Sequence, residues 1–240
     1  MQSKLKDIAL LLFIRTPQVE VRHKRLLPSA SLPQNQRLIR RLNQHAISLA
    51  EASGLPTFIL DSPQQQGERF GERLANAFQD IYVQGYRSIV AIGNDCLQLE
   101  TQDLLDTARA LQETDIVLGP TFDGGVHTIG MQQSAFDFQA FCNLPWQTNR
   151  VQQAWQQYAQ HFELPAIHWL KLAADIDYAQ DLVAALRSRI FHKALFDLLS
   201  LLTVANSQDL RSGVDIPRRG AYLQIPSHRG PPRVPGSILS

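Results

Sequence analysis

Cysteine is scarce. Cys96 and Cys142 are the only two in 240 residues, which excludes a disulfide framework and makes reduced thiols the default. Nor does any stretch approach the roughly 20 apolar residues that a membrane-spanning helix needs. Charge of one sign is not in excess. The formal net charge is +1, and there is no basic stripe interleaved with aromatics, so nucleic acid is not an expected partner. His45, His161, His168, His192 and His228 stand at no metal-ligand spacing. The opening "MQSKLKDIALLLFIRTP" has a basic residue and an apolar run but no small-residue cleavage site. It reads as a first buried strand rather than a signal peptide, and the expected location is the cytoplasm.

What is present is a core. Hydrophobic residues make up 44% and charged residues 19%, enough for one folded α/β domain. "IALLLFIR" (8–15), "PTFILD" (56–61), "SIVAIGND" (88–95) and "DIVLGP" (115–120) are short apolar runs of strand type. Between them lie helical patterns at 35–54, 67–86 and 101–113, with another at 149–162. "DGGVHTIGM" (123–131) reads as a turn into a further strand. This alternation predicts a mostly parallel central sheet with helices on both faces. Ligands in such sheets bind beyond the C-terminal ends of the strands. The expected division is a domain over 1–182, a C-terminal helix over 183–210 within a long apolar run, and a tail over 211–240. That tail holds five Pro, four Gly and five Arg. The apolar helix and tail could support a homodimer.

Four features carry candidate chemistry. Asp95 ends a strand, where a carboxylate can hold a hard divalent cation or can cap the next turn. Asp123 precedes Gly124 and Gly125; this is either a ligand-facing turn or an ordinary Asp-Gly hairpin. Asp175 and Asp177 flank Ile176, so both face one way on an extended chain. Asp177 is assigned to cap the following helix, and Asp175 to the site. Arg15, Arg22, His23, Lys24 and Arg25 form a basic loop after the first strand, suited to phosphate oxygens or simply solvated. Cys96 reads as a small buried thiol rather than a nucleophile.

Taken in order, "QQQGERFGERLANAF", "IVAIGNDCLQL", "DIVLGPTFDGGVHTIGM", "LPWQT" and "DIDYAQDL" resemble the radical-SAM/selenodomain-associated transferase 1 family. This is a bacterial group with a GT-A-like (nucleotide-diphospho-sugar transferase) fold, related to phospholactate and molybdenum-cofactor guanylyltransferases. The resemblance spans roughly residues 8 to 182. It implies that Asp95 takes the metal-aspartate position with Mg²⁺ or Mn²⁺, joined by Asp175 or Asp177. It also implies a nucleotide sugar or NTP donor and an acceptor of unknown identity. Arg25, with Arg15 or Lys24, is then assigned to phosphates, and Asp123 with Gly124 and Gly125 to the acceptor side.

The first loop departs most from the family pattern K-x-P-x-P-G-x-V-K-T-R-L. Glu20 stands at the glycine, His23 at the second lysine and Lys24 at the threonine, where it is expected to point away from the site. Leu97 replaces a proline, and Val126 and His127 replace two aromatics. An acidic Glu20 near a triphosphate would repel it. The sequence therefore leaves three readings: a metal-dependent glycosyl- or nucleotidyltransferase, a catalytically degenerate relative that binds a nucleotide or a protein partner, and a hydrolase that uses Asp95 as a phosphate nucleophile.

Overall fold

The computed structural model describes residues 4–28 and 30–188. Six strands form one sheet: β1 (Ile8–Phe13), β2 (Thr57–Leu60), β3 (Ser88–Ile92), β4 (Ile116–Pro120), β5 (Val126–Gln132) and β6 (His168–Trp169), in the order β2-β1-β3-β5-β4-β6. β1 runs parallel to β2 and β3, and β4 parallel to β6, while β5 is antiparallel to both its neighbours. The expected mostly parallel sheet is present. Its sixth strand, only two residues long, carries no sequence signal.

β1 and β3 are apolar throughout because both of their faces are covered. On one face Ala9 and Leu11 pack with Leu74, Phe78 and Ile81 of α3 (Phe70–Val83). The same layer holds α5 (Phe138–Cys142) and α6 (Val151–His161), whose Trp155 is wholly buried. On the other face Leu10 and Leu12 meet Ala46 and Ala50 of α2 (Leu32–Ser53), and Leu104 and Ala108 of α4 (Thr101–Ala110).

α2 starts three residues before the predicted 35. Ser31 caps it reciprocally with Gln34, and a proline occupies the first turn. The Ser-x-x-Gln signal was there to be read. The helix stops at Gly54, whose φ of +68° suits a residue without Cβ.

The basic loop is less irregular than expected, since α1 (Pro17–Glu20) forms a single turn inside it. A third apolar cluster joins Leu26 and Leu27 of this loop to Leu38 and Leu42 of α2. Leu97, Ile176 and Leu182 complete it. Leu182 lies on α7 (Ala179–Ser188). This cluster holds the basic loop and the 175–177 segment against each other. The expected continuation of that helix and the tail over 211–240 lie outside the described residues. Among the described residues no helix is long and apolar enough to cross a membrane.

Candidate functional site

A cavity of about 560 Å³ opens where β1 and β3 end, lined by residues of both strand tips, of α3 and of the 121–127 and 146–149 segments. Asp95 is there because β3 ends at Ile92 and the chain turns at Gly93. A Cβ on Gly93 would meet Asp95 Oδ1 at 3.0 Å, so the carboxylate folds back over its own turn. Asn94 anchors the turn by donating to Asn43 Oδ1 on α2, while Asn43 Nδ2 donates to the Arg15 carbonyl 3.0 Å away.

The 173–177 segment runs alongside, pinned by three backbone N–H groups. Ala173 donates to the Pro120 carbonyl, Ala174 to Gln98 Oε1 and Ile176 to the Asp95 carbonyl. Because side chains alternate about Ile176, which is buried, Asp175 and Asp177 both line the cavity with Asp95. The structure thus brings the three predicted carboxylates together. At the helix start Asp181 Oδ2 accepts from the backbone N–H groups of Asp177 and Tyr178.

Lys24 reverses its expected direction. Its side chain is 4% exposed, with Nζ 3.2 Å from Asp177 Oδ1 and 3.9 Å from Asp95 Oδ2. It does not line the cavity; it lies behind the carboxylates. Burial alone would lower its proton affinity, but the charges of Asp177, Asp95 and Glu20 outweigh burial and hold it above the ordinary lysine value. Asp95 is pushed up, by burial first, with Lys24 opposing. Asp175 is pushed up to about 9 by burial and by the charges of Asp95, Asp177 and Asp123. Its Oδ1 is buried without a hydrogen-bond partner. Protonation of Asp175 relieves its like-charge repulsion with Asp95 and Asp177.

The place expected for Mg²⁺ or Mn²⁺ at Asp95 and Asp177 is taken by a side chain. Among the described residues no group of three His, Cys, Asp or Glu side chains is placed to hold a metal ion. The cation that Asp95 and Asp177 already share is the Lys24 ammonium.

The cavity lining also carries cations. Arg15 lines the cavity and pairs with Glu20 at 2.8 Å, so the acidic residue at the expected glycine position is neutralised in place. Arg73 of α3 also lines the cavity, and its Nη1 donates to the Glu68 carbonyl. Burial lowers the proton affinity of Arg73, and the charge of Arg15 lowers it further, which places the two guanidiniums within electrostatic reach of each other. His23 is lowered by burial and then by Arg15, so it is neutral at pH 7. Arg25 does not take its expected place: it is exposed, donates to the Ala30 carbonyl and lies outside the cavity lining. Sequence reading missed Arg73, although it sits in the quoted "GERFGERLANAF" stretch.

Asp123 also lines the cavity. Its Oδ1 accepts from Thr121 Oγ1 and from the Gly125 N–H, which closes the turn. Gly124 has a φ of +89°, and a Cβ there would meet the Asn149 carbonyl oxygen at 2.2 Å. Glycine is thus required at 124 by both angle and space, and the adjacent Gly125 lines the cavity.

Cys96 is buried, and burial together with Asp175 and Asp95 pushes its thiol up to about 12. It is a thiol at physiological pH and not a nucleophile. Iodoacetamide at pH 8 is expected to alkylate the half-exposed Cys142 and to leave Cys96 unmodified until denaturant is added, as read by mass spectrometry of tryptic peptides. Rapid native labelling of Cys96 would contradict this burial.

The fold compares well with one solved structure, a candidate nucleotide-diphospho-sugar transferase from Desulfovibrio desulfuricans G20. It superposes with a TM-score of 0.74 at 21% identity, covering 85% of this chain and 98% of that one. The chain has the GT-A-like fold. The sequence model DUF2064, described as an uncharacterized protein conserved in bacteria, matches residues 37–148. Two further structures align at TM-scores too low to bear on the argument. A homologue of Mycobacterium tuberculosis Rv0371c from Mycobacterium sp. strain JC1 scores 0.41 at 14% identity, covering 83% of this chain and 98% of that one. A cytidylyltransferase from Leptospira borgpetersenii scores 0.41 at 12% identity, covering 88% and 99%. No curated protein matches the chain.

Proposed function

We propose that this GT-A-like chain is a transferase that binds a nucleotide-activated donor, a nucleotide sugar or an NTP, in the cavity beyond β1 and β3. The observation that carries this reading is the polarity of that cavity. Arg15 and Arg73 line it together with Asp95, Asp175 and Asp177. Two guanidiniums within electrostatic reach of each other on one cavity lining favour an anion there. In this reading they bind the donor's phosphates, and they meet the charge that develops on the leaving nucleotide or pyrophosphate as the acceptor attacks. The Asp95 carboxylate accepts from donor hydroxyls, and Asp123 borders the acceptor side. The ordered motifs support a place near the radical-SAM/selenodomain-associated transferases.

The degenerate-binder reading has one observation of its own, the Glu20–Arg15 pair, which occupies part of the guanidinium that a phosphate would use. Titration calorimetry separates the two. Wild type, Arg73→Ala and Asp95→Ala are titrated with UDP-, GDP-, CDP- and ADP-linked sugars and with NTPs, each with and without Mn²⁺. One donor is expected to bind wild type, and Arg73→Ala should weaken it roughly 10- to 100-fold, the worth of a charge-assisted hydrogen bond. Absence of binding across the panel would sink the transferase reading.

A further inference from the structure

We propose that Lys24 is the resident cation of this site, an ammonium standing at Asp95 and Asp177 in place of a divalent metal ion. Three observations carry it. Nζ lies 3.2 Å from Asp177 Oδ1 and 3.9 Å from Asp95 Oδ2, so one charge serves both carboxylates. The lysine is 96% buried (4% exposed), so no water shell competes for it. It reaches the cluster from behind the cavity, and a divalent ion on the same carboxylates would sit beside a fixed positive charge that cannot leave with the ligand.

The third carboxylate sharpens the point. Asp175 Oδ1 is shut away with no hydrogen-bond partner among the described residues. With Lys24 gone, Asp95 and Asp177 would keep their oxygens beside each other with no counter-charge between them. One or two carboxylates of this kind are what a hard divalent cation takes from a protein. A single side chain therefore decides whether the cluster is a salt bridge or a metal site. The inference concerns the cavity of the transferase reading, but its test uses no nucleotide, so either can fail alone.

The test is a Mn²⁺ titration of the full chain, with free Mn²⁺ read by electron paramagnetic resonance, on wild type, Lys24→Ala, Asp95→Asn and the double variant. Wild type is expected to take up no Mn²⁺ that Asp95→Asn removes. Lys24→Ala should bind one Mn²⁺ per chain at least tenfold more tightly than wild type and lose it in the double variant. Mn²⁺ should also raise the melting temperature of Lys24→Ala and not that of wild type, a response that a merely structural lysine would not give. Asp95-dependent Mn²⁺ binding by wild type would overturn the inference, as would a folded Lys24→Ala that binds no more tightly than wild type. If Lys24→Ala does not fold, wild type against Asp95→Asn decides it: Asp95-dependent uptake refutes the inference, and uptake indifferent to Asp95 upholds it.

Discussion

Asp175→Asn is expected to stabilise the protein at pH 7 and to change nothing near pH 3. In the folded chain the Asp175 carboxyl is pushed up to about 9 from an ordinary 3.8, by burial first and then by Asp95, Asp177 and Asp123. Once the chain unfolds, this carboxyl ionises near its ordinary value. Between those two values the native state holds a proton that the unfolded state has released. Stability is therefore fully present below about 4 and is lost as pH rises towards about 9. The steepest possible slope is about 1.4 kcal/mol per pH unit. Asp175 lines the cavity, so the loss at pH 7 is discounted for screening to roughly 2–3 kcal/mol. Asparagine keeps the shape and never ionises, so its urea-unfolding free energy should fall less steeply with pH than that of wild type over this range. Equal pH slopes for wild type and variant would show that Asp175 is ionised in the folded chain.

How much of this was legible depends on whether a feature is local. β1 and β3 read directly, because strands buried on both faces are apolar throughout and end abruptly. Asp95 follows from them, since a strand tip on such a sheet is a crevice position. The joint placement of Asp175 and Asp177 followed from alternation about Ile176. The side chains of the basic loop were not legible. His23, Lys24 and Arg25 are adjacent, and which of them turns inward is settled by a partner 153 positions away in the chain. The apolar cluster that Leu26 and Leu27 of the loop make with Leu38, Leu42 and Ile176 bears on that choice, and the loop alone does not name those distant partners. Arg73 was hidden for a different reason. It is next to Leu74 on a helix whose other face is core, so at helical spacing it reads as a solvated residue. Only the cavity between α3 and the strand tips gives it a role.

Lys24→Met should cost about 3–5 kcal/mol of stability at pH 7, the usual penalty for removing one partner of a buried ion pair. Methionine preserves most of the volume, so little of this comes from an empty space. The cost comes from Asp177 and Asp95, left facing each other without the ammonium 3.2 and 3.9 Å away. The sign with pH separates charge from packing. The folded-state value of Lys24 lies above the ordinary 10.5, so its contribution is complete at neutral pH and would be lost only as pH rises through the folded-state value. Below neutrality the lysine does not change but its partners do. Asp95 already holds its proton more tightly than an ordinary aspartate, with Lys24 the charge that opposes this. In the variant that opposition is gone, and the carboxylates can take up protons and shed their repulsion. Urea unfolding of wild type and Lys24→Met should therefore diverge most at pH 7 and converge towards pH 4. A deficit of the same size at both pH values would assign the effect to packing. A deficit below about 1 kcal/mol at pH 7 would put the pair with solvent-screened surface bridges, contrary to its burial.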